Sequence, residues 1–204
     1  MIDIDHRSVL LVSGSPRKNG NTDRLLHEIE RALGERGVAT TFAALRDYSI
    51  HSCTGCERCR VDETCTEFYD GMHLLYPLIE QSGGLVVGSP TYNYNITPEM
   101  KCFIDRFYPY FDFTNPRPGP YSSRLADQGR KLVVVGVCEQ KEASEMGYTM
   151  PAMSDAFRVL GYEIAAELPV TGHFAMGSVK KDTVILDKAF QTGKQLAEAL
   201  QEQE

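Results

Sequence analysis

Short apolar runs alternate with amphipathic stretches along almost the whole chain. The first run, SVLLV at residues 8–12, ends in the polar stretch SGSPRKNGN. Leu25, Leu26, Ile29, Ala32 and Leu33 then recur at the period of a helix, with Gly34 and Gly37 as stop signals. TTFAAL is a second strand. Met72, Leu75, Leu78 and Ile79 mark a second helix, and GLVVGSP is a third strand. Pro98 suits a first helical turn and opens a helix that runs through Arg106. KLVVVGV is the most continuous β-branched run, which predicts a central strand buried on both faces. Residues 144–160 are predicted helical, YEIAAELPV is a fifth strand, and a final helix runs from about Asp182 to the polar tail QEQE.

Five strand–helix units predict a parallel sheet covered on both faces, a three-layer α/β sandwich. The expected version is the flavodoxin-like doubly wound five-stranded parallel sheet of order 2-1-3-4-5, although alternation alone does not set strand order. A chain of 204 residues suits one domain, residues 1–204, with a single core. Two segments break the rhythm. One is a cysteine-rich insertion at residues 53–65. The other is an aromatic, proline-rich loop at residues 107–129, with four of the ten prolines. A loop that long inside a compact domain is usually functional or covered by a partner.

Ligands of a doubly wound sheet bind outside the carboxyl ends of its strands. The loop after strand one, SGSPRKNGNT at residues 13–22, has what a terminal phosphate needs. Gly14 and Gly20 permit tight turns, Ser13, Ser15, Asn21 and Thr22 supply polar donors, and Arg17 supplies a guanidinium. The following helix presents free N–H groups and the positive end of its dipole. The loop matches neither a Walker sequence nor the GxGxxG dinucleotide fingerprint, which favours a mononucleotide. A plain polar turn with Thr22 as N-cap is the bland alternative. Strand three ends in SPTYNYNITPEMK, residues 89–101, where tyrosines and asparagines alternate. Aromatic faces between amide donors suit a planar heteroaromatic ring. A tyrosine-rich turn that merely caps the sheet is the alternative. Both loops fall at one rim, placing a phosphate pocket beside a ring pocket.

GSPRKNGNT together with SPTYNYNITPEMKCFIDR resembles the flavodoxin-like NADPH-dependent FMN reductase superfamily. CTGCERCRVDETC between them resembles its iron–sulfur flavoprotein branch. The likeness covers about residues 8–106. It implies that Ser15, Arg17, Asn21 and Thr22 hold the FMN phosphate. Pro90, Thr91, Tyr92 and Asn93 would line the isoalloxazine, with Tyr94 and Asn95 nearby. It also implies homodimers or homotetramers that build the flavin site partly across an interface.

Four of the six cysteines, Cys53, Cys56, Cys59 and Cys65, fall within thirteen residues as C-x2-C-x2-C-x5-C. Such a compact loop is able to wrap a cubane. Structural zinc more often uses two separated C-x2-C knuckles, and a redox dithiol needs only two cysteines. The branch resembled implies a [4Fe–4S] cluster; thiols and zinc stay open as alternatives, since spacing alone seldom fixes the metal. Arg58 and Arg60 suit either an anionic cluster or a solvated loop. A cluster at this rim would exchange single electrons with FMN, within one chain or across an interface.

A formal net charge of −7 removes the basic footprint of a nucleic-acid binder. No apolar run reaches the ~18 residues of a membrane span, and the acidic start with its short VLLV run is unlike a signal peptide. A cytoplasmic protein is expected, where clustered cysteines serve as ligands or catalytic thiols more often than as disulfides. Cys102 and Cys138 are expected to be core residues, with Cys138 just past strand four at the ligand rim. His173 is the one histidine near that rim, and Asp105 and Arg106 are expected to pair at a helix end. No nucleophile or acid–base constellation appears, so no catalytic side chain is assigned. Tyr108, Tyr110, Phe111 and Phe113 form a stripe that favours an oligomer. The expected function is a flavin-dependent oxidoreductase relaying electrons between a [4Fe–4S] cluster and FMN. NAD(P)H or a ferredoxin-type protein is the expected donor, and a small molecule the acceptor. The alternatives are a metal-free NAD(P)H-dependent FMN or quinone reductase and a non-enzymatic redox carrier or sensor.

Overall fold

The structure, a computed structural model, describes residues 5–202. Strands β1 (Asp5–Ser13), β2 (Ala39–Ala44) and β3 (Ser82–Pro90) alternate with helices α1 (Asn21–Glu35), α2 (Cys59–Asp62) and α3 (Met72–Gln81). After α4 (Pro98–Asp105) come two short strands, β4 (Phe111–Phe113) and β5 (Tyr121–Ser123). The remainder is β6 (Lys131–Val137), α5 (Thr149–Arg158), β7 (Glu163–Val170) and α6 (Thr183–Gln201). One five-stranded sheet runs in the order β2-β1-β3-β6-β7 with every pairing parallel. This is the expected 2-1-3-4-5 arrangement, with β4 and β5 outside it as a separate antiparallel pair.

The central strands bury both faces, as their unbroken apolar runs predict. On one side Leu10, Val12, Leu85, Val87, Leu132 and Val134 join Met72, Leu75, Met100, Phe103 and Phe157. On the other, Val9, Leu11, Val86, Val133 and Val135 pack with Leu25, Leu26, Ile29, Leu196 and Leu200. Gly88 lets α1 lie close against β3, because a Cβ there would fall 2.6 Å from Leu26 Cδ1 and 2.8 Å from Thr22 Cγ2. The start of α1 is thereby fixed over the carboxyl ends of the central strands.

Two local expectations change. The helix expected over residues 144–160 is divided: a short 3-10 turn at Ala143–Met146 ends at Gly147, whose φ of +58° breaks it before α5. The aromatic segment is a hairpin rather than a loop, because Phe111 and Phe113 alternate with polar residues and pair with Ser123 and Tyr121. Its stripe is largely self-covered. Tyr110 lies in the main core, and Phe113 packs on Tyr108, Phe111 and Tyr121 at centroid distances of 5.1, 5.7 and 5.7 Å. The case for an oligomer from this stripe therefore falls away.

Candidate functional site

A cleft of about 430 Å³ opens at the carboxyl rim of the sheet. It lies within the roughly 300–1,000 Å³ typical of small-molecule sites. Four loops build it, after β1, β3, β6 and β7. The β1 loop folds around a buried acid. Asp23, in the first turn of α1, accepts Ser13 Oγ at 2.6 Å and the Asn19 N–H at 2.8 Å. Arg46, just after β2, pairs with Asp23 at 3.0 Å and donates to the Ser15 carbonyl at 3.0 Å. Gly14 N–H donates to the Gly88 carbonyl at 2.8 Å, and Thr97 Oγ1 donates back to the Gly14 carbonyl at 2.8 Å. Gly20 caps α1 and offers no side chain, so the helix starts with no side-chain cap on its first N–H groups. An uncapped helix start next to Ser15, Arg17 and Thr22 fits a terminal phosphate.

The β3 loop makes a tight turn. Tyr92 and Asn95 exchange backbone bonds of 2.7 and 3.0 Å, with Asn93 and Tyr94 between them at φ of +48° and +63°. Two consecutive left-handed residues are what a two-residue hairpin turn requires, and they are uncommon for tyrosine. Thr91 is fixed by its N–H to the Val137 carbonyl at 2.7 Å and by Thr149 Oγ1 at 2.9 Å.

Eight of the residues expected in the cofactor site line this one cleft: Ser15, Arg17, Asn21, Thr22, Pro90, Thr91, Tyr92 and Asn93. Three others lie off its lining. Ser13 is fully buried and spends its hydroxyl on Asp23. Tyr94 sits exposed at the turn tip, and Asn95 accepts the Ile96 N–H with its own side chain at 2.9 Å. Asn21 lines the cleft, yet its amide ties two loops, donating to the Ala175 carbonyl and accepting from the Val179 N–H. Thr22 lies inside α1 rather than at its cap.

Val137, Glu139, Gln140, Phe174 and Met176 complete the cleft and were not anticipated. Their signal was positional, since they follow β6 and β7 at the same rim. Cys138 is buried, as expected, and lines the cleft as well; burial pushes its thiol pKa up. His173 also lines it, with ring nitrogens 3.2 Å from Ser178 Oγ and 3.3 Å from Asp182 Oδ2. Arg17 crosses the mouth, donating to the Phe174 carbonyl at 3.0 Å with its guanidinium over that ring at 5.3 Å.

A second, small apolar pocket is lined by Cys53, Cys56, Cys59 and Cys65 together with Phe68, Arg106, Tyr108 and Pro109. All four cysteines are free thiols. Partial burial pushes the Cys59 thiol up to about 11, and the neighbouring Cys65, Cys53 and Cys56 add to the rise. Among the described residues, no three His, Cys, Asp or Glu side chains form a group able to hold a metal ion as they stand.

Arg106 is 2% exposed and does not pair with Asp105, which binds Lys101 instead. Its terminal nitrogens donate to Asp70 at 2.7 and 3.2 Å and to the His51 carbonyl at 3.0 Å. Nε is buried without a partner. A buried cation with a spare N–H donor, lining an apolar pocket together with four thiols, fits an anionic thiolate-bound group. Burial would raise the Asp70 carboxyl, but the Arg106 guanidinium and the His51 and Met72 N–H groups outweigh it and hold it well below the usual carboxylate range.

The cleft and the cysteine pocket share no lining residue. Helix α4 joins them. Its N-cap Thr97 bonds the phosphate-type loop at Gly14, and its other end supplies Asp105 and Arg106 to the cysteine pocket. Eight residues of helix span roughly 12 Å. Cys102, expected in the core, is half-buried on α4 with Ser52 Oγ 3.2 Å from its sulfur.

Residues 7–133 match the NADPH-dependent FMN reductase family. The chain belongs to that family. An iron–sulfur flavoprotein of Methanocaldococcus jannaschii is 26% identical over 94% of this chain and 96% of its own length. Another iron–sulfur flavoprotein, from Archaeoglobus fulgidus, is 31% identical over 93% of this chain and 79% of its own. These relatives place the chain in the iron–sulfur flavoprotein branch of the family. A flavone reductase structure superposes with a TM-score of 0.71 at 19% identity, covering 95% of this chain and 63% of that one, a likeness of fold. The protein is thus an FMN-dependent oxidoreductase of the flavodoxin-like fold. No helix among the described residues is long and apolar enough to cross a membrane.

Proposed function

We propose that the protein relays electrons between FMN in the rim cleft and a [4Fe–4S] cluster ligated by Cys53, Cys56, Cys59 and Cys65. The observation that carries the cluster half is buried Arg106, whose Nε has no partner and which lines one pocket together with the four cysteines. When bound, FMN exchanges electron pairs with a nicotinamide or quinone and single electrons with a cluster. The α1 start, with Ser15, Arg17 and Thr22, takes the phosphate; residues 90–93 and 137–140 flank the ring. Asp23 and Arg46 keep the phosphate loop folded, and Asn21 ties it to the β7 loop. Exposed Tyr92, Phe174 and Met176 line the cleft, and exposed Tyr94 and Tyr148 are linked by a backbone bond of 2.7 Å. This apolar rim supports coverage by a second copy in a homodimer or homotetramer, and by a planar small-molecule acceptor. NAD(P)H or a ferredoxin-type protein is the donor, and the reducing cytoplasm is the compartment that keeps such thiols available.

Anaerobic turnover tests the proposal with wild-type protein and Cys59→Ser, both loaded with FMN. The proposal expects both to oxidise NAD(P)H with a quinone, while only the wild type passes electrons to a ferredoxin-type partner. Equal transfer by both would leave a metal-free FMN or quinone reductase. Absence of NAD(P)H oxidation combined with rapid exchange with reduced ferredoxin would leave a carrier.

A further inference from the structure

The hairpin at residues 107–129 contributes nothing to the FMN cleft; the surface it grips is the cysteine loop. That loop has little of its own to hold it. No residue from 53 to 65 is buried, and its one regular element is the single turn of α2. Its backbone is costly at two places, with Glu57 and Glu63 at φ of +60° and +55°. Non-glycine residues in this region persist where their surroundings over-determine them.

Both strained glutamates are held from the hairpin. Glu57, between Cys56 and Cys59, accepts Tyr108 OH at 3.1 Å and the Arg117 guanidinium on one oxygen, and Arg60 at 3.2 Å on the other. Arg60 reaches on to Asn115 Oδ1 at 3.2 Å. Glu63, between Cys59 and Cys65, is held by Arg124, which donates to its carbonyl at 2.8 Å and to its carboxylate at 3.2 Å. The hairpin is itself anchored on the body of the fold. Tyr110 is buried with its hydroxyl 3.1 Å from Glu80, and Ser123 Oγ donates to the Leu160 carbonyl at 2.8 Å.

We propose that this hairpin is a clamp that holds the turns of the cysteine loop in place before any cluster is present. Tyr108, Arg117 and Arg124 are its positioning residues. The inference rests on the four cysteines acting as one ligand set. The ordering entropy of a loop without buried residues is met by the hairpin's bonds, so the cluster does not have to supply it on binding. Fixing Glu57 and Glu63 fixes the turns on either side of Cys59, the cysteine nearest the centre of the motif.

Hydrogen exchange in iron-free, reduced, full-length protein tests this. The variants are Tyr108→Phe with Arg117→Ala, Arg124→Ala, and, from the loop side, Glu57→Ala, which leaves the hairpin intact. Exchange across residues 53–65 should rise about tenfold in each, as local opening becomes easier. Exchange in β3 and β6, and FMN binding, should stay at wild-type values. Glu57→Ala added to Tyr108→Phe with Arg117→Ala should loosen the loop little further, since both remove the same bonds. Unchanged exchange across residues 53–65, or full additivity of the two sets, would overturn the clamp. Iron uptake by the wild type is read separately. A loosened loop in a protein that takes up no iron supports the clamp and removes the cluster; iron uptake with an unmoved loop does the reverse.

Discussion

The phosphate-type loop and the cysteine loop both follow strands of the same parallel sheet, yet different forces hold them. Residues 13–22 are gripped from inside. Ser13, Asp23 and Thr97 are buried, and their bonds close the loop against β3 and the start of α1. Residues 53–65 are gripped from outside, by Tyr108, Arg117 and Arg124 acting on glutamates that remain in contact with solvent. A loop built on helix and strand ends is complete when the sheet folds. A cysteine loop held by half-exposed charges depends on what lies around it and on what it binds.

The largest effect that would separate the two regions is loss of one cofactor alone. The double variant Cys56→Ser with Cys59→Ser should lose all bound iron while FMN remains, read from iron content and flavin absorbance on the same sample. Loss of both cofactors would join the two sites and break the comparison.

Next in size is Asp70→Asn, which leaves Arg106 buried without its carboxylate. Removing one partner of a buried pair costs about 3–5 kcal/mol, measurable by denaturant unfolding. The pH dependence has a definite sign. Because the folded-state pKa of Asp70 is depressed, its contribution is complete above about pH 4 and is lost as acid protonates the folded carboxylate. The gap between wild type and Asp70→Asn should therefore narrow as pH falls below about 4. A gap of constant size down to acid unfolding would contradict the assigned pairing.

On the cleft side, Arg17→Ala should weaken FMN about tenfold through a lost charge-assisted phosphate contact, measured by flavin fluorescence titration. Iron content should not change. Smallest is Ser13→Ala. It removes one bond to Asp23 and should cost about 1 kcal/mol of stability. FMN affinity should hold near wild type, because Ser13 braces the loop from behind. A tenfold loss of FMN here would return Ser13 to the ligand set.

The parallel sheet and eight cleft residues were legible because apolar periodicity and loop position point to them, while the strand order came from the fold type that the alternation suggests. What escaped was direction. Ser13 and Ser15 look alike along the chain, but Ser13 closes β1 with its hydroxyl on buried Asp23, whereas Ser15 lies in the loop beyond the strand and lines the cleft. Tyr94 and Asn95 fit an aromatic–amide pattern, and no glycine announced the left-handed turn that carries them off the cleft. The Arg106–Asp70 pair joins residues 36 apart in sequence, while the neighbouring Asp105 offered an easier local partner. In the aromatic segment, four prolines argued for a loop and concealed a three-residue ladder.

The most direct test is the absorption spectrum of anaerobically purified protein, with iron and FMN counted on the same sample. Resolved flavin bands over a broad shoulder that dithionite bleaches, with about four iron per FMN as a cubane requires, is the result expected. Flavin bands without that shoulder and without iron would contradict the cluster and leave the four cysteines as thiols beside a plain flavin reductase.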